Sequence, residues 1–423
     1  MMQKIIKAKG MVDVNSQKLI PDITIVIDND IITSVESGIV SAQTDPEAQV
    51  IDLSDHYILP GLINSHMHLC MPGDSEIGQN ATYLGNAKEL APLLAVKNAL
   101  TELNSGVTTV RECGAWDMPT ICRAVELGII KGPRIYHCGR IITITGGHGW
   151  SWDIAIEADG EEAITQATRQ NLKRGADFVK LMATGGGTQG TYPGHASFSA
   201  PEIAAAVEAA HRIDKKVAVH ARGTAGIKNS VEAGVDFIEH CCFELPDGTL
   251  KADEKLIASI AEQEIIITPT IQLYRSHLRK MLKKQDEGKL SADETKAIKL
   301  STDILEEKYL TLRKFIKAGV KCMAGNDAGI AIVAYGTLSG ELDTMVEGGM
   351  SPSMAIASAT KIPAEAMGLF DEIGSLEIGK QADIIAVKDD PIVNILALEK
   401  VSFVMKAGEI HLNEVSVEQP HRK

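Results

Sequence analysis

Two histidines separated by one residue, His66 and His68, are the first side chains in the sequence that suggest chemistry. They end a short apolar run, GLINSHMH, which we interpret as a strand. Because side chains two positions apart in a strand point to the same face, both imidazoles can reach one metal ion. A single pair of this kind is more often an ordinary surface or core feature, so a metal site needs support from elsewhere in the chain.

That support comes from four later apolar runs, each of which carries a residue of a ligand type. His220 lies in KVAVHA, His240 in DFIEHC, Asp327 in VKCMAGND and Lys180 in DFVKLMA. In a closed barrel of parallel strands, the C-terminal strand ends form one active-site cup. We therefore predict that these four residues converge there with the first two histidines.

The segment 60–371 alternates strand-like runs with helical patterns. Eight runs are the number that a closed parallel barrel needs, so we predict an α/β fold, a (β/α)8 TIM-type barrel. Ser199 with Glu202 predicts a capping box, and Ser351 before Pro352 predicts a second helix start. The runs are GLINSHMH (61–68), VTTVREC (107–113), RIYHCGRIITI (134–144), DFVKLMA (177–183), KVAVHA (216–221), DFIEHC (236–241), IIITPTI (265–271) and VKCMAGND (320–327).

Both ends of the chain have a different pattern, in which short β-branched runs alternate with Asp, Asn and Gly turns. This pattern occupies residues 1–59 and returns in residues 372–423. We predict that the two ends form one composite β-sandwich beside a barrel domain of residues 60–371.

Composition excludes several classes of partner. The 423 residues are 44% hydrophobic and carry a formal net charge of −14, without a block rich in Lys and Arg, so nucleic acid and anionic membranes are poor partners. The N-terminus lacks a signal-peptide core, and no run approaches the roughly 18 apolar residues of a membrane span. The seven cysteines show no CxxC spacing. We expect a cytoplasmic homo-oligomer that acts on a small molecule.

Several motifs resemble those of the amidohydrolase superfamily. LPGLINSHMH is similar to its strand-one motif, MAGNDAG to its strand-eight aspartate motif, and ATKIPAEAMGLFDEIGSLEIGKQADIIAV to its C-terminal run. The match extends over nearly the whole chain. ITGGHG, VKLMATGGG and VAVHARG most resemble the branch of prolidase-like dipeptidases and imidazolonepropionase relatives. Asn326 departs from the pattern, because Thr or Ser usually precedes the aspartate, and this concerns hydrogen bonding more than ligation.

The resemblance implies a hydrolase of amide-type C–N bonds that uses two divalent metal ions. Zinc suits the ligand types best, and manganese, cobalt and iron remain open. The residues already singled out would be the ligands: His66, His68 and Asp327 for the first metal, and His220 and His240 for the second. Lys180 would be carboxylated by CO2, so that its carbamate bridges both ions and offsets their charge.

The implied mechanism is hydrolysis by a metal-bridging hydroxide. Two metals would lower the pKa of the bridging water and polarise the substrate carbonyl. Asp327 would accept the proton and deliver it to the leaving nitrogen. A dipeptide or an N-acyl amino acid is the preferred substrate.

Two further residues are candidates for substrate binding. Arg222 lies two residues beyond His220, where its guanidinium can hold a carboxylate, and a structural ion pair is an equal alternative. His148 in GGHG can contact the substrate or stabilise an oxyanion, and the alternative is a loop histidine with a hydrogen-bond partner. The glycine-rich segment 185–190 lacks the Lys-Ser/Thr of a P-loop, so we interpret it as a mobile loop beside the metal site.

Other functions remain open. The same metal centre would serve a cyclic-amide hydrolase of the imidazolonepropionase or hydantoinase type, and also phosphoester or lactone hydrolysis. A non-catalytic scaffold is the alternative from a different class, because a fold does not guarantee a function. A scaffold would be expected to have lost ligands, and all six candidate ligands are present here.

Overall fold

The computed structural model describes residues 3–38, 48–73, 90–116, 118–289, 291–330 and 332–415, with the side chains of 292–294 left out. The strands are β1 (Gln3–Asp13), β2 (Lys18–Asp28), β3 (Ile31–Ser37), β4 (Gln49–Pro60), β5 (Leu62–Met67), β6 (Val107–Glu112), β7 (Arg134–His137), β8 (Ile141–Thr143), β9 (Ala155–Glu157), β10 (Phe178–Met182), β11 (Lys216–Gly223), β12 (Phe237–Glu244), β13 (Ile266–Thr268), β14 (Ile384–Val387), β15 (Val401–Lys406) and β16 (Glu409–Asn413).

Helices separate most of the central strands. They are α1 (Ala91–Asn104), α2 (Met118–Glu126), α3 (Gly160–Lys173), α4 (Ala200–His211), α5 (Thr224–Glu232), α6 (Glu254–Glu262), α7 (Gln272–Asp286), α8 (Ala292–Ala318), α9 (Leu338–Glu347), α10 (Pro352–Ser358) and α11 (Lys361–Ala366). No described helix combines the length and the apolar character that crossing a bilayer requires.

Strands from both ends of the chain form one seven-stranded sheet, in the order β16-β15-β14-β4-β1-β2-β3. β4 joins the two ends, because it pairs in parallel with β1 and antiparallel with β14. The isoleucines of β1 and β2 pack with Phe403 and Met405 in a core of their own. The predicted joint β-rich unit is thus confirmed as one continuous sheet. The two-sheet sandwich and the limits 1–59 and 372–423 stay a prediction.

The central strands are parallel and fall into two sheets. One has the order β5-β6-β7 and the other β13-β12-β11-β10-β8-β9. The predicted runs contain these strands, with two differences. The third run, RIYHCGRIITI, divides into β7 and β8 around Gly139, whose φ of 67° breaks the extended chain. Within the described residues, the eighth run makes only one isolated bridge, at Cys322, and Ala328 directly after it makes others.

Single backbone hydrogen bonds connect these sheets. Met323 N–H donates to Ile267 O at 2.8 Å, and Ser65 N–H donates to Ala324 O at 2.9 Å, so segment 320–327 lies between β13 and β5. A further bond of 2.8 Å joins β7 to the residue that precedes β10. The α/β content is therefore confirmed. One continuous eight-stranded barrel sheet is not confirmed by the strand pairing.

Both predicted helix starts are confirmed. At α4, the Glu202 carboxylate accepts the backbone N–H of Ser199 at 2.8 Å, as a capping box requires. At α10, Ser351 Oγ accepts the backbone N–H of Met354 at 3.2 Å, and Pro352 occupies the first turn. These caps fix where two helices begin beside the parallel strands, and so where the preceding loops lie.

Candidate functional site

Four histidine side chains meet at the carboxyl ends of the central strands. His66 and His68 come from the end of β5, His220 from β11 and His240 from β12. Ring centroids are 5.5 Å apart for His66 and His68, 5.0 Å for His66 and His240, and 4.5 Å for His220 and His240. All four side chains are buried. The structure therefore brings together all four histidines that the sequence singled out as candidate metal ligands.

Asp327 lies against the first two of these histidines. Its Oδ1 is 3.4 Å from Nε2 of both His66 and His68. This oxygen is buried and has no hydrogen-bond partner in the described part of the chain. An unpaired buried carboxylate oxygen is costly, and a cation is the partner that would satisfy it. His66, His68 and Asp327 offer ligand atoms within 4.8 Å of one another, so they are a candidate metal-binding group.

Lys180 projects from β10 beside this cluster and is 1% exposed. Its charge acts on the pKa values of His66, His220 and Asp327, so it is close to both halves of the cluster. Its charge also acts on the pKa values of the buried Glu112 and Glu239 carboxyl groups, so acidic side chains lie near it as well. Lys180 is therefore buried close to the candidate ligands, and its carboxylation stays a prediction.

The site keeps its groups in the forms that metal binding needs. Burial lowers the pKa of His66, His220 and His240, and Lys180 acts in the same direction. For His68, burial is more than offset by Asp327, so its pKa is raised. Burial acts to raise the pKa of Asp327, but the neighbouring histidines outweigh it and hold that pKa well below its ordinary range. Three neutral imidazoles and an ionised carboxylate are ready for a metal.

The backbone is strained at two candidate ligands. His240 has a φ of 69° and Asp327 a φ of 59°, both in the left-handed region that non-glycine residues avoid. Cys241, Phe243 and Thr270 are also left-handed, with φ of 43°, 54° and 46°. Each such residue costs about 1–3 kcal/mol and persists only where the surroundings enforce it. Strain of this kind is concentrated at functional sites, and the sequence gives no sign of it.

Glu239, which sequence analysis missed, orients His66. Its carboxylate accepts hydrogen bonds from His66 Nδ1 at 2.7 Å and from Arg111 Nη1 at 2.8 Å. The Arg111 guanidinium lies between the rings of Phe178 and Phe237, with its central carbon 4.3 and 4.5 Å from their centroids. Because Nδ1 donates to the carboxylate, Nε2 of His66 is the nitrogen left free for a metal.

Further polar residues support the same strand ends, and sequence analysis missed Glu112 and Asn64 among them. Glu112 accepts the backbone N–H groups of Leu69 and Gly114, and burial raises its pKa to about 7. Asn326 Oδ1 accepts the side-chain amide of Asn64 at 2.9 Å. This amide pair ties the Asp327 turn to β5, so the departure from the Thr/Ser pattern is accommodated. Charged residues inside apolar runs, such as those in VTTVREC, were the available signal.

His148 lies beside the second pair of histidines. Its ring is 4.5 Å from that of His220 and 4.9 Å from Trp152, and burial lowers its pKa to about 3. Its Nδ1 is 2.8 Å from Thr188 Oγ1. A Cβ on Gly186 would lie 2.4 Å from the His148 ring, so the glycine-rich loop packs directly on it. The loop is beside the site as predicted, whereas its mobility stays a prediction.

Arg222 reaches the rim of the site but is already paired. Its Nη2 is 2.7 Å from Glu244 Oε2, an acidic partner that sequence analysis missed. Tyr274 raises the pKa of Arg222, and Glu244 acts in the same direction. The Nε of Arg222 is buried and has no hydrogen-bond partner among the described residues. One part of the guanidinium is thus structural, and another part is unsatisfied.

Known proteins resemble this chain along most of its length. The sequence profile of the Amidohydrolase family matches residues 57–412. An ochratoxinase from Aspergillus niger is 28% identical over 383 residues, which cover 84% of this chain and 75% of the relative. A crystal structure of an Xaa-Pro dipeptidase with bound methionine in the active site has a TM-score of 0.82 and 31% identity, and covers 96% of this chain and 99% of its own.

A second crystal structure gives a similar result. A prolidase complexed with N-methylphosphonate-L-proline has a TM-score of 0.81 and 25% identity, with 97% of this chain and 99% of that chain covered. The resemblance to prolidase-like relatives that the motifs indicated is confirmed.

We predict that Glu239→Gln weakens zinc binding about 10- to 100-fold, because the amide offers one acceptor oxygen and no charge where the carboxylate serves both His66 and Arg111. Zinc affinity is measured by competition with a chromophoric chelator. Asp383→Asn is the matched control, since Asp383 is a buried carboxylate paired with Arg134 at 3.1 Å outside the site. Equal zinc affinity in Glu239→Gln and in the control would show that Glu239 only stabilises the fold.

Proposed function

The chain belongs to the amidohydrolase family, and on this premise we propose that it hydrolyses the amide bond of a dipeptide or an N-acyl amino acid with the help of two divalent metal ions. The observation that carries the proposal is the unpaired Oδ1 of Asp327, at equal distance from Nε2 of His66 and His68. Two imidazole nitrogens and an ionised carboxylate around one buried point are a donor set for a cation.

The residues present fit two metals, with zinc preferred for this mixture of nitrogen and oxygen donors. His66, His68 and Asp327 would hold one ion, and His220 and His240 the other. Lys180 would contribute as a carbamate, which adds two oxygen donors and replaces the positive charge of the amine with a negative one. When bound, such ions supply a Lewis acid that polarises the carbonyl and activates water.

Asp327 is the proton carrier in this proposal. Its pKa lies well below the ordinary range, so it is ionised at neutral pH and can accept a proton from the attacking water. Its left-handed backbone and the Asn326 amide fix the carboxylate in one place. The same carboxyl group can then deliver the proton to the departing amine nitrogen, which leaves as a neutral amine.

His148 can act on the carbonyl oxygen. Thr188 Oγ1 accepts the backbone N–H of Gly149 at 2.9 Å and can donate its own proton to His148 Nδ1, 2.8 Å away. That arrangement leaves the proton of the neutral ring on Nε2. A neutral donor in a buried site can stabilise negative charge that develops on the substrate oxygen.

Arg222 would recognise the substrate carboxylate. Its Nη2 is held by Glu244, which pre-orients the guanidinium, while the buried Nε lacks a partner. A free carboxylate at the end of a dipeptide or acyl amino acid would supply an acceptor for the remaining donors. The likeness to an Xaa-Pro dipeptidase and a prolidase supports the same class of substrate.

The fold proposed for this function is the (β/α)8 barrel of residues 60–371. Segment 320–327 is bonded on one side to Ile267 and on the other to Ser65, and β7 is bonded to the residue before β10. These bonds would close the two parallel sheets into a ring of eight. The candidate ligands then occupy the carboxyl ends of its strands, where barrel enzymes have their active sites.

Asp327→Asn is predicted to reduce kcat for dipeptide hydrolysis by about a hundredfold or more, because the proton carrier is lost. Metal content is measured on the same sample, so that a lost metal ligand is separated from lost proton transfer. Turnover close to wild type in a metal-replete variant would remove Asp327 from the mechanism.

Arg222→Met is predicted to lower kcat/KM for a free-acid dipeptide well over tenfold and to affect its C-terminal amide much less, since truncating a paired charge costs about 2–5 kcal/mol. The single variant leaves the Glu244 carboxylate without its ion-pair partner. The double variant Arg222→Met with Glu244→Gln is therefore made alongside. Both are assayed on dipeptides and N-acyl amino acids. Equal losses on acid and amide would make Arg222 structural and favour a neutral cyclic-amide substrate.

A further inference from the structure

One lysine interrupts the apolar face of α8. Leu305, Lys308, Leu312 and Phe315 follow one another at spacings of three, four and three residues, and all four side chains are buried. Lys308 is 3% exposed, at a position where the helix pattern predicts an apolar residue. A buried amine is costly unless its donors are satisfied, so its partners are informative.

The Lys308 amine is bonded to the backbone of one central strand, β12, and to the residue that follows another, β13. Nζ donates to the carbonyl oxygen of His240 at 2.8 Å and to that of Pro269 at 3.0 Å, and it lies 3.4 Å from Cys242 Sγ. His240 and Thr270, the residue after Pro269, both have left-handed backbone. One side chain therefore anchors two strained turns at once.

These two turns also contact each other through a candidate ligand. His240 Nδ1 and Thr270 Oγ1 are 2.7 Å apart, so the orientation of the imidazole depends on the relative position of the turns. Without the amine, both carbonyls would lose this donor in a buried region, and each turn would gain by relaxing to ordinary backbone angles.

We propose that Lys308 is a positioning residue, which holds the turns at His240 and Thr270 in register and thereby keeps the His240 imidazole directed at the second metal. It contacts the backbone of His240 and not the ring, so it acts on the chemistry only through that ligand. The claim that His240 is directed at a metal rests on the proposed function. The claim that Lys308 holds the backbone at His240 and Thr270 does not depend on it.

The first test is zinc affinity in Lys308→Met, measured with a chromophoric chelator. We expect one of the two zinc sites to lose about 10- to 100-fold in affinity and the other to keep its value. Lys308→Arg retains donors for the carbonyls and is expected to recover most of the loss. Lys380→Met is the control, since Lys380 is another buried lysine, bonded to Ser375 Oγ far along the chain.

The second test is a crystal structure of metal-free Lys308→Met. We expect φ of His240 and Thr270 to leave the left-handed region and the bond between their side chains to break. Left-handed φ at both residues in the variant would overturn the proposal, and so would unchanged zinc affinity. Wild-type protein that binds no zinc would refute the proposed function, and the crystal structure alone would then decide the role of Lys308. If Lys308→Met does not fold, Lys308→Gln receives the same two measurements.

Discussion

A buried carboxylate oxygen without a hydrogen-bond partner in the described chain, Oδ1 of Asp327, is the constraint on which the rest of the site depends. It lies among buried imidazoles, and no donor in the described chain reaches it with hydrogen-bond geometry. Leaving such an atom unsatisfied costs about 1–3 kcal/mol or more for a charged group. The same turn also bears the strain of a left-handed aspartate. Both features are what a candidate cation site made of His66, His68 and Asp327 would require.

The strand ends are held by charged groups that would be unfavourable alone. Arg111 and Glu239 neutralise each other inside the apolar interior, and the pair directs the His66 ring. Removing one member of such a pair leaves an uncompensated buried charge. Lys308 and the amide of Asn326 make comparable contacts at the His240 and Asp327 turns. The metal-facing side chains are thus fixed from behind by polar contacts rather than by packing alone.

Much of the arrangement was predictable from local sequence. Alternation along a strand placed His66 and His68 on one face, and the strand-end positions of His220, His240 and Asp327 placed them with that pair. The contacts that the sequence did not predict are made between residues that lie far apart in the chain or belong to different strands. Arg111 and Glu239 are 128 residues apart, and neither belongs to a spacing motif. Likewise, nothing in VAVHARG shows that the Glu244 carboxylate already accepts a hydrogen bond from Nη2 of the Arg222 guanidinium.

Backbone conformation explains the remaining differences. The eighth run carries regular apolar residues, but its left-handed Asp327 prevents a regular ladder, so it shows an isolated bridge instead of a strand. The third run divides at Gly139 for a similar reason. Strand propensity is local and does not report these turns. The terminal sheet was easier to anticipate, because short β-branched runs with turn residues recur at both ends of the chain.

The central claim is that the six converging residues hold two metal ions. Anomalous diffraction from crystals grown with zinc tests it most directly. The account predicts two anomalous peaks, one against Asp327 Oδ1 and the Nε2 atoms of His66 and His68, the other against His220 and His240, with carbamate density on Lys180 between them. Zinc-replete crystals without a peak beside Asp327, and with a bare Lys180 amine, would contradict it.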